Sequence, residues 1–169
     1  AREGHAGEGD ALIGSQPGLA LSVITADCVP ILSAAGPNLA AVHAGWRGLE
    51  SDVVGAALER WESEADGTVA WIGPAIGPCC YEVGHDVAQR VAEATTEAAV
   101  LPEAGRDGRP HLDLLRASAH QLTRRGVTDV RLLGVCTHCH PEILYSYRRN
   151  GRLAGRDVGL IWRSADGAP

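Results

Sequence analysis

The sequence predicts a single α+β domain with a mixed β-sheet, spanning residues 1–169. Seven short apolar runs have strand character, and three longer segments place apolar residues at helical spacing. An Asn-Gly pair within residues 149–152 predicts a hairpin turn, and therefore antiparallel neighbours in the sheet. The 169 residues, 45% of them hydrophobic, suffice for one domain with a buried core.

The predicted strands follow the apolar runs in chain order. They cover residues 19–25, 29–33, 39–43, 69–72, 130–135, 143–147 and 158–162. Helical periodicity predicts helices over residues 49–64, 85–99 and 112–125. The last of these ends with Arg124 and Arg125 before Gly126, a typical C-terminal signal. Residues 102–110, rich in Gly and Pro, are predicted to form a loop.

Charge and hydropathy exclude two classes of partner. The net charge of -6 argues against a general nucleic-acid-binding protein, which would carry a basic patch. No run approaches the roughly 18 apolar residues that a transmembrane helix needs, and no signal segment opens the chain. We therefore expect a cytoplasmic protein. The five cysteines are expected to be free thiols, as in a reducing compartment.

The segment Thr25-Ala26-Asp27-Cys28-Val29-Pro30 places polar groups between two predicted strands. A carboxylate and a thiol at a strand end are costly to bury without a partner. Asp27 could orient a ligand or act as a general base, and Cys28 could be a metal ligand or a nucleophile. An inert buried cysteine beside a turn aspartate is the structural alternative.

The segment Ala41-Val42-His43-Ala44-Gly45-Trp46-Arg47-Gly48 connects a predicted strand to a helix. A glycine-containing loop before a helix can bring backbone N–H groups close to an anion, and Arg47 would supply charge. Because His43 and Cys28 lie at the ends of successive strands, they could meet at one metal ion or contact each other.

Three further segments carry weaker signals. The Gly-Pro steps of residues 72–83 predict a rigid loop that could line a pocket. The segment Cys136-Thr137-His138-Cys139-His140 resembles a haem attachment site or half of a zinc site, but no second ligand pair at matching spacing is apparent. Free thiols in a loop are expected there. Arg148 and Arg149, beside two tyrosines, could clamp a phosphate or lie on a solvated hairpin face.

Taken together, these segments resemble one bacterial family. The stretches TADCVPIL, AVHAGWRG, IGPAIGPCCYEVG and CTHCHPEILYSYRRNGR occur in that family's order, from about Asp10 to Trp162. The family is described as laccase-like multicopper polyphenol oxidases, as zinc-dependent purine nucleoside phosphorylases and as peptidoglycan editing factors. Several adjacent long motifs make the resemblance specific.

The resemblance implies a four-layer α+β sandwich, usually monomeric, with a metal bound by two histidines and one cysteine. These ligands fall on Cys28 and His43, while the remaining histidine belongs to an upstream segment that this sequence does not contain. His5 lacks that motif and is not assigned as a ligand. The chain, which contains no Met, is therefore expected to lack the N-terminal part of the family's domain.

The implied activity is phosphorolysis of adenosine, inosine or methylthioadenosine, together with adenosine deamination. Zinc, or alternatively copper, would be the cofactor. Asp27 and Arg47 are the expected catalytic residues, and Gly45, Arg47 and Arg148 would bind substrate. Two enzymatic alternatives remain: a cysteine hydrolase using Cys28 and His43, for example on peptidoglycan precursors, and a copper-dependent polyphenol oxidase. A non-enzymatic scaffold would show no turnover.

Overall fold

The computed structural model describes residues 9–61 and 67–165. His5 and the end of the predicted 49–64 helix lie outside these residues. The strands are β1 (Ala11–Gly14), β2 (Leu21–Thr25), β3 (Val29–Ala35), β4 (Asn38–Ala44), β5 (Val69–Ile72), β6 (Val100–Leu101), β7 (His111–Leu112), β8 (Asp129–Leu132) and β9 (Asp157–Ile161). The helices are α1 (Trp46–Glu50), α2 (Val53–Leu58), α3 (His85–Ala94), α4 (Leu114–Arg124) and α5 (Tyr147–Asn150).

The main sheet has five strands in the order β1-β4-β3-β5-β8. The first three neighbouring pairs are antiparallel, whereas β5 and β8 are parallel. The predicted α+β class with a mixed sheet is therefore confirmed. Two further antiparallel pairs, β2 with β9 and β6 with β7, complete the described strands.

Alternating side chains on β3 and β4 separate two hydrophobic cores. Ile31 and Val42 face the helices α1 to α4, which cover one side of the main sheet. Leu39 and Ala41 face the β2–β9 pair on the opposite side, where Leu21 and Val23 pack against them. Because successive side chains of a strand point to opposite faces, the two central strands can serve both cores.

The connection from β2 to β3 crosses between the two sheets, and it contains Asp27. Asp27 has a positive φ of 89°, which is uncommon for a residue other than glycine. The backbone N–H of Ile76 donates to the carbonyl of Asp27 at 2.9 Å. The crossing is thus tied to the loop that follows β5.

The segment around residue 147 differs from the prediction. Residues 143–147 do not form a strand, and residues 149–152 do not form a hairpin turn. Instead, Ser146 begins α5 by accepting a hydrogen bond from the N–H of Arg149 at 3.2 Å. This N-cap and the arginine contacts described below hold a helical turn, even though the apolar run has strand character.

The predicted 49–64 helix is divided in two. Asp52 adopts a left-handed conformation with φ of 54° and caps α2 through a hydrogen bond from the N–H of Gly55. The two other predicted helices are present, but they are shorter than predicted: α3 ends at Ala94 and α4 covers residues 114–124. Strand β1 has no counterpart among the predicted strands.

Within the described residues, none of the helices has the length and apolar character needed to cross a membrane.

Candidate functional site

Cys28 and His43 lie next to each other because β3 and β4 are antiparallel neighbours. The register pairs Val29 with Ala44, so Cys28, one residue before β3, lies beside Gly45 just after β4. A Cβ atom on Gly45 would lie only 3.0 Å from the Sγ of Cys28. Gly45 therefore leaves the space that the thiol occupies.

The imidazole of His43 interacts with two groups. It lies close enough to the Cys28 thiol for that thiol to raise its pKa, and its Nδ1 atom lies 2.9 Å from Oδ1 of Asp10. The Cys28 contact and then Asp10 outweigh partial burial and raise the pKa of His43 to about 9. Sequence reasoning missed Asp10, since nothing in its local sequence marks it and its partner lies 33 positions away.

Asp27 is held by hydrogen bonds to both carboxylate oxygens. The Thr137 hydroxyl donates to Oδ1 at 2.6 Å, and the backbone N–H of Arg148 donates to Oδ2 at 2.6 Å. The Asp27 residue is only 8% exposed, and Thr137 is completely buried. Because both oxygens are already bonded, this carboxylate is suited to positioning its neighbours.

The side chain of Arg148 contacts Tyr81 and Glu82. Its guanidinium is 5.0 Å from the centre of the Tyr81 ring, and its Nη1 donates to the carbonyl of Glu82 at 2.9 Å. Burial raises the pKa of Tyr81 to about 12. Tyr81, which sequence reasoning did not select, thus remains a protonated phenol beside Arg148.

Arg47 lies on α1 and is exposed, with its guanidinium 4.4 Å from the centre of the Trp46 ring. Its positive charge acts on Tyr81, as does that of Arg148. Helix α1 has only five residues. Its aligned peptide dipoles are therefore few, and the side chain of Arg47 carries the charge of this loop.

A second group of chemically reactive side chains lies elsewhere. The sulfur atoms of Cys79, Cys80, Cys136 and Cys139 all lie within 4.8 Å of one another, and together they could hold a metal ion. Sequence reasoning found no second ligand pair for the 136–140 segment. Cys79 and Cys80 could supply that pair, which the spacing within residues 136–140 could not reveal.

The pKa values of these thiols differ, because backbone N–H groups bond to one of them. The N–H groups of Gly77 and Cys139 bond to Cys136 and, against the effect of burial, lower its pKa to about 7. Burial raises the pKa of Cys79 to about 11. In the described part of the chain, no other group of three or more His, Cys, Asp or Glu side chains is spaced to hold one metal ion.

Two kinds of chemistry are open to the Cys28 region. Thiolate and imidazole groups are zinc ligands, and a carboxylate such as Asp10 commonly orients a ligating histidine. The same three residue types could form a nucleophile, a base and an orienting acid. Two arginines nearby could bind an anionic substrate.

Comparison with known proteins identifies the family. A family model described as "Multi-copper polyphenol oxidoreductase laccase" matches residues 1–164. Among curated relatives, Purine nucleoside phosphorylase PA4543 of Pseudomonas aeruginosa is 40% identical over 157 residues, which cover 90% of this chain and 64% of that protein. Purine nucleoside phosphorylase YfiH of Escherichia coli is 35% identical over 162 residues, which cover 90% of this chain and 63% of that protein.

Solved structures agree with these relatives. The DUF152 protein NMB0706 of Neisseria meningitidis has a TM-score of 0.84 and 34% identity, with 92% of this chain and 65% of that chain covered. YlmD from Geobacillus stearothermophilus has a TM-score of 0.84 and 32% identity, with 92% of this chain and 61% of that chain covered. The chain thus spans less than two thirds of the length of these proteins. It belongs to the family of laccase-like multi-copper polyphenol oxidoreductases that includes the YfiH and DUF152 proteins.

Proposed function

We propose that the chain catalyses zinc-dependent phosphorolysis of a purine nucleoside, with Cys28 and His43 as metal ligands. The observation that carries this proposal is the contact between Cys28 and His43, with Asp10 bonded to Nδ1 of the imidazole. Thiolate and neutral imidazole suit zinc, and the carboxylate behind the histidine fixes its orientation. The relatives named purine nucleoside phosphorylases support the reaction class.

The arginines would bind the phosphate. In phosphorolysis a phosphate oxygen bonds to C1′ of the sugar, and the bond from C1′ to the purine nitrogen breaks with its electron pair going to the purine. Arg47 and Arg148 would hold the phosphate anion, and Gly45, which makes room for the Cys28 thiol, would be the third substrate-binding residue. A bound zinc ion would supply a Lewis acid that polarises the substrate.

Asp27 would act as a positioning residue. Its carboxylate accepts hydrogen bonds from the backbone N–H of Arg148 and from the hydroxyl of Thr137. It therefore fixes the position of the Arg148 backbone, from which the guanidinium extends. The protonated phenol of Tyr81 could donate a hydrogen bond to the purine or the sugar.

We extend the proposal to adenosine deamination, in which water adds to C6 of the purine and ammonia leaves. The chemical support is that a Lewis acid promotes both reactions. Inosine formation in the absence of phosphate measures this activity separately from base release.

The experiment measures release of the free base from adenosine, inosine and methylthioadenosine by the zinc-loaded chain, with and without phosphate. We expect base release only with phosphate. His43→Gln and Cys28→Ser should each lower kcat/KM by at least about 100-fold, because even changes in residues that orient metal ligands cost about 10–100-fold. Arg47→Met should raise the KM for phosphate.

His85→Gln is the matched control, since His85 is exposed at the start of α3. It should leave kcat/KM unchanged. No phosphate-dependent release by the zinc-loaded chain, or full activity of the His43→Gln variant, would contradict the proposal.

The same contact also favours a cysteine hydrolase, with Asp10 orienting the imidazole of His43. The sulfur of Cys28 would bond to an amide carbon while the C–N bond breaks, and the thiol proton would pass through His43 to the leaving amine. Water would then cleave the thioester, which releases the acid and restores the thiol. Metal removal distinguishes the two at a temperature where the metal-free chain stays folded. A hydrolase keeps its activity in chelator and loses it when Cys28 is alkylated, whereas the phosphorylase loses its activity in chelator.

A further inference from the structure

The four cysteines outside the Cys28 region carry a separate inference. We propose that Cys79, Cys80, Cys136 and Cys139 bind one zinc ion as a structural site that ties the loop after β5 to the turn after β8. This site shares no residue with the proposed phosphorylase site.

The distances fit a single tetrahedral ion. The Sγ atoms of Cys79 and Cys139 are 3.7 Å apart, and those of Cys80 and Cys139 are 3.4 Å apart. Four sulfurs at about 2.3 Å from a zinc ion lie about 3.8 Å from one another in a tetrahedron. All four lie within 4.8 Å of one another, so only small movements are needed for coordination.

The ligand type indicates which metal would bind. Four thiolates in a tetrahedral arrangement are typical ligands of a zinc ion or of an iron–sulfur cluster. A multi-iron cluster needs room between the cysteines for several irons and sulfides, which these distances do not leave. Four protein ligands also leave no open position for a substrate, so the expected role is structural.

The backbone at Gly77 allows the cysteine side chains to lie close together. The N–H of Gly77 donates to the Sγ of Cys136 at 3.2 Å, a bond that stabilises a thiolate. A Cβ atom on Gly77 would lie 3.3 Å from the Sγ of Cys79 and 3.2 Å from the Cβ of Cys136. Glycine therefore lets the two pairs of cysteines come together.

The site would fix segments that are 59 and 60 positions apart in the chain. Next to it, Ala75 and Cys136 form an isolated β-bridge, and the N–H of Thr137 donates to the carbonyl of Ala75 at 3.0 Å. Thr137 in turn bonds to Asp27. A metal ion at the cysteines would thus stabilise the loops on which Asp27 depends.

The test measures zinc in the double variant Cys28→Ser/His43→Gln, which lacks the ligands of the proposed phosphorylase site. Elemental analysis of protein purified without a tag should give about one zinc per chain. Adding Cys79→Ser or Cys139→Ser should remove it. Replacement of zinc by Co²⁺ should produce the strong thiolate-to-cobalt absorption of a four-sulfur site.

A measurement on the unsubstituted chain guards against variants that fail to fold. Zinc should protect these four cysteines from alkylation, and a chelator should expose them and lower the melting temperature. Absence of zinc in the Cys28→Ser/His43→Gln variant overturns the proposal. So does an intact mass lighter by two hydrogen atoms per disulfide, since it would show that the thiols pair with each other.

Discussion

His43 shows how a single side chain takes its properties from distant parts of the chain. Its contacts with Cys28 and Asp10 stabilise the imidazolium form, which explains the direction of its pKa. The motif around His43 identifies it as a candidate ligand. Its protonation state, however, depends on a carboxylate at the start of the described chain.

We predict that His43 of the metal-free chain titrates near pH 9 rather than near its ordinary value of 6.5. Because the folded-state pKa is raised, its contribution to stability is complete below pH 6.5 and is lost as the pH rises through 9. Histidine ring signals in NMR spectra, recorded across pH, measure this directly.

Asp10→Asn should move the midpoint of that titration down, since it removes the carboxylate charge that stabilises the imidazolium. His85→Gln should leave the midpoint unchanged. A His43 midpoint near 6.5 in the unsubstituted chain would show that the contacts do not form in solution.

At the scale of elements, an ion-pair cluster connects α2 with the end of α4. The Arg125 guanidinium bonds to Asp52 and to Glu59, and Arg124 lies 3.4 Å from Asp52. The side chain of Gly55 is only a hydrogen atom, and a Cβ there would overlap both Arg125 and Asp52. The ion pair therefore requires glycine inside a helix.

We predict that Gly55→Ala lowers the free energy of unfolding, although Gly to Ala inside a helix ordinarily raises it by about 1 kcal/mol. The new methyl group would displace Arg125 from Asp52. In an Arg125→Ala background the same change should lower the free energy of unfolding by less, because only the overlap with Asp52 remains.

Urea unfolding of the four proteins in this double-mutant cycle gives the two effects of Gly55→Ala. Equal effects in both backgrounds would show that the ion pair does not constrain Gly55.

Elements also show where sequence patterns fail. Strands β2 to β5 were predicted closely, because their apolar residues face buried cores. Residues 143–147 have the same apolar character, yet Ile143 and Tyr145 are exposed and the segment ends in a helix. The side chain of Arg149 stabilises the helical turn in place of a strand, since it donates to the carbonyls of Thr137, His138 and Leu144.

At the scale of the whole molecule, the outer face of the β2–β9 pair is apolar. Ile24 and Val158 are paired across the two strands, and Leu160 and Trp162 continue the same face. These four side chains are between 50% and 62% exposed. The inner face of the pair is buried against the main sheet, so the pair is hydrophobic on both sides.

We predict that the folded chain binds a hydrophobic dye such as anilinonaphthalene sulfonate at this face. The double substitution Ile24→Thr/Leu160→Thr should lower the dye fluorescence severalfold while keeping residues that favour strands. Leu153→Thr is the matched control, because Leu153 is 94% exposed away from these strands. Equal fluorescence of the double variant and the unsubstituted chain would contradict this prediction.

The sequence by itself determined the α+β class, most strands, the helices around residues 85–94 and 114–124, and the candidates Asp27, Cys28, His43 and Arg148. Local periodicity and short motifs suffice for these, because neighbouring residues along the chain produce them.

Only the tertiary structure decided which distant groups meet. Asp10 reaches His43 because β1 pairs with β4, and Thr137 reaches Asp27 because the turn after β8 lies beside the crossing from β2. The parallel pairing of β5 and β8 brings the two halves of the cysteine cluster together. These contacts depend on strand order, which hydrophobic patterning along the chain does not specify.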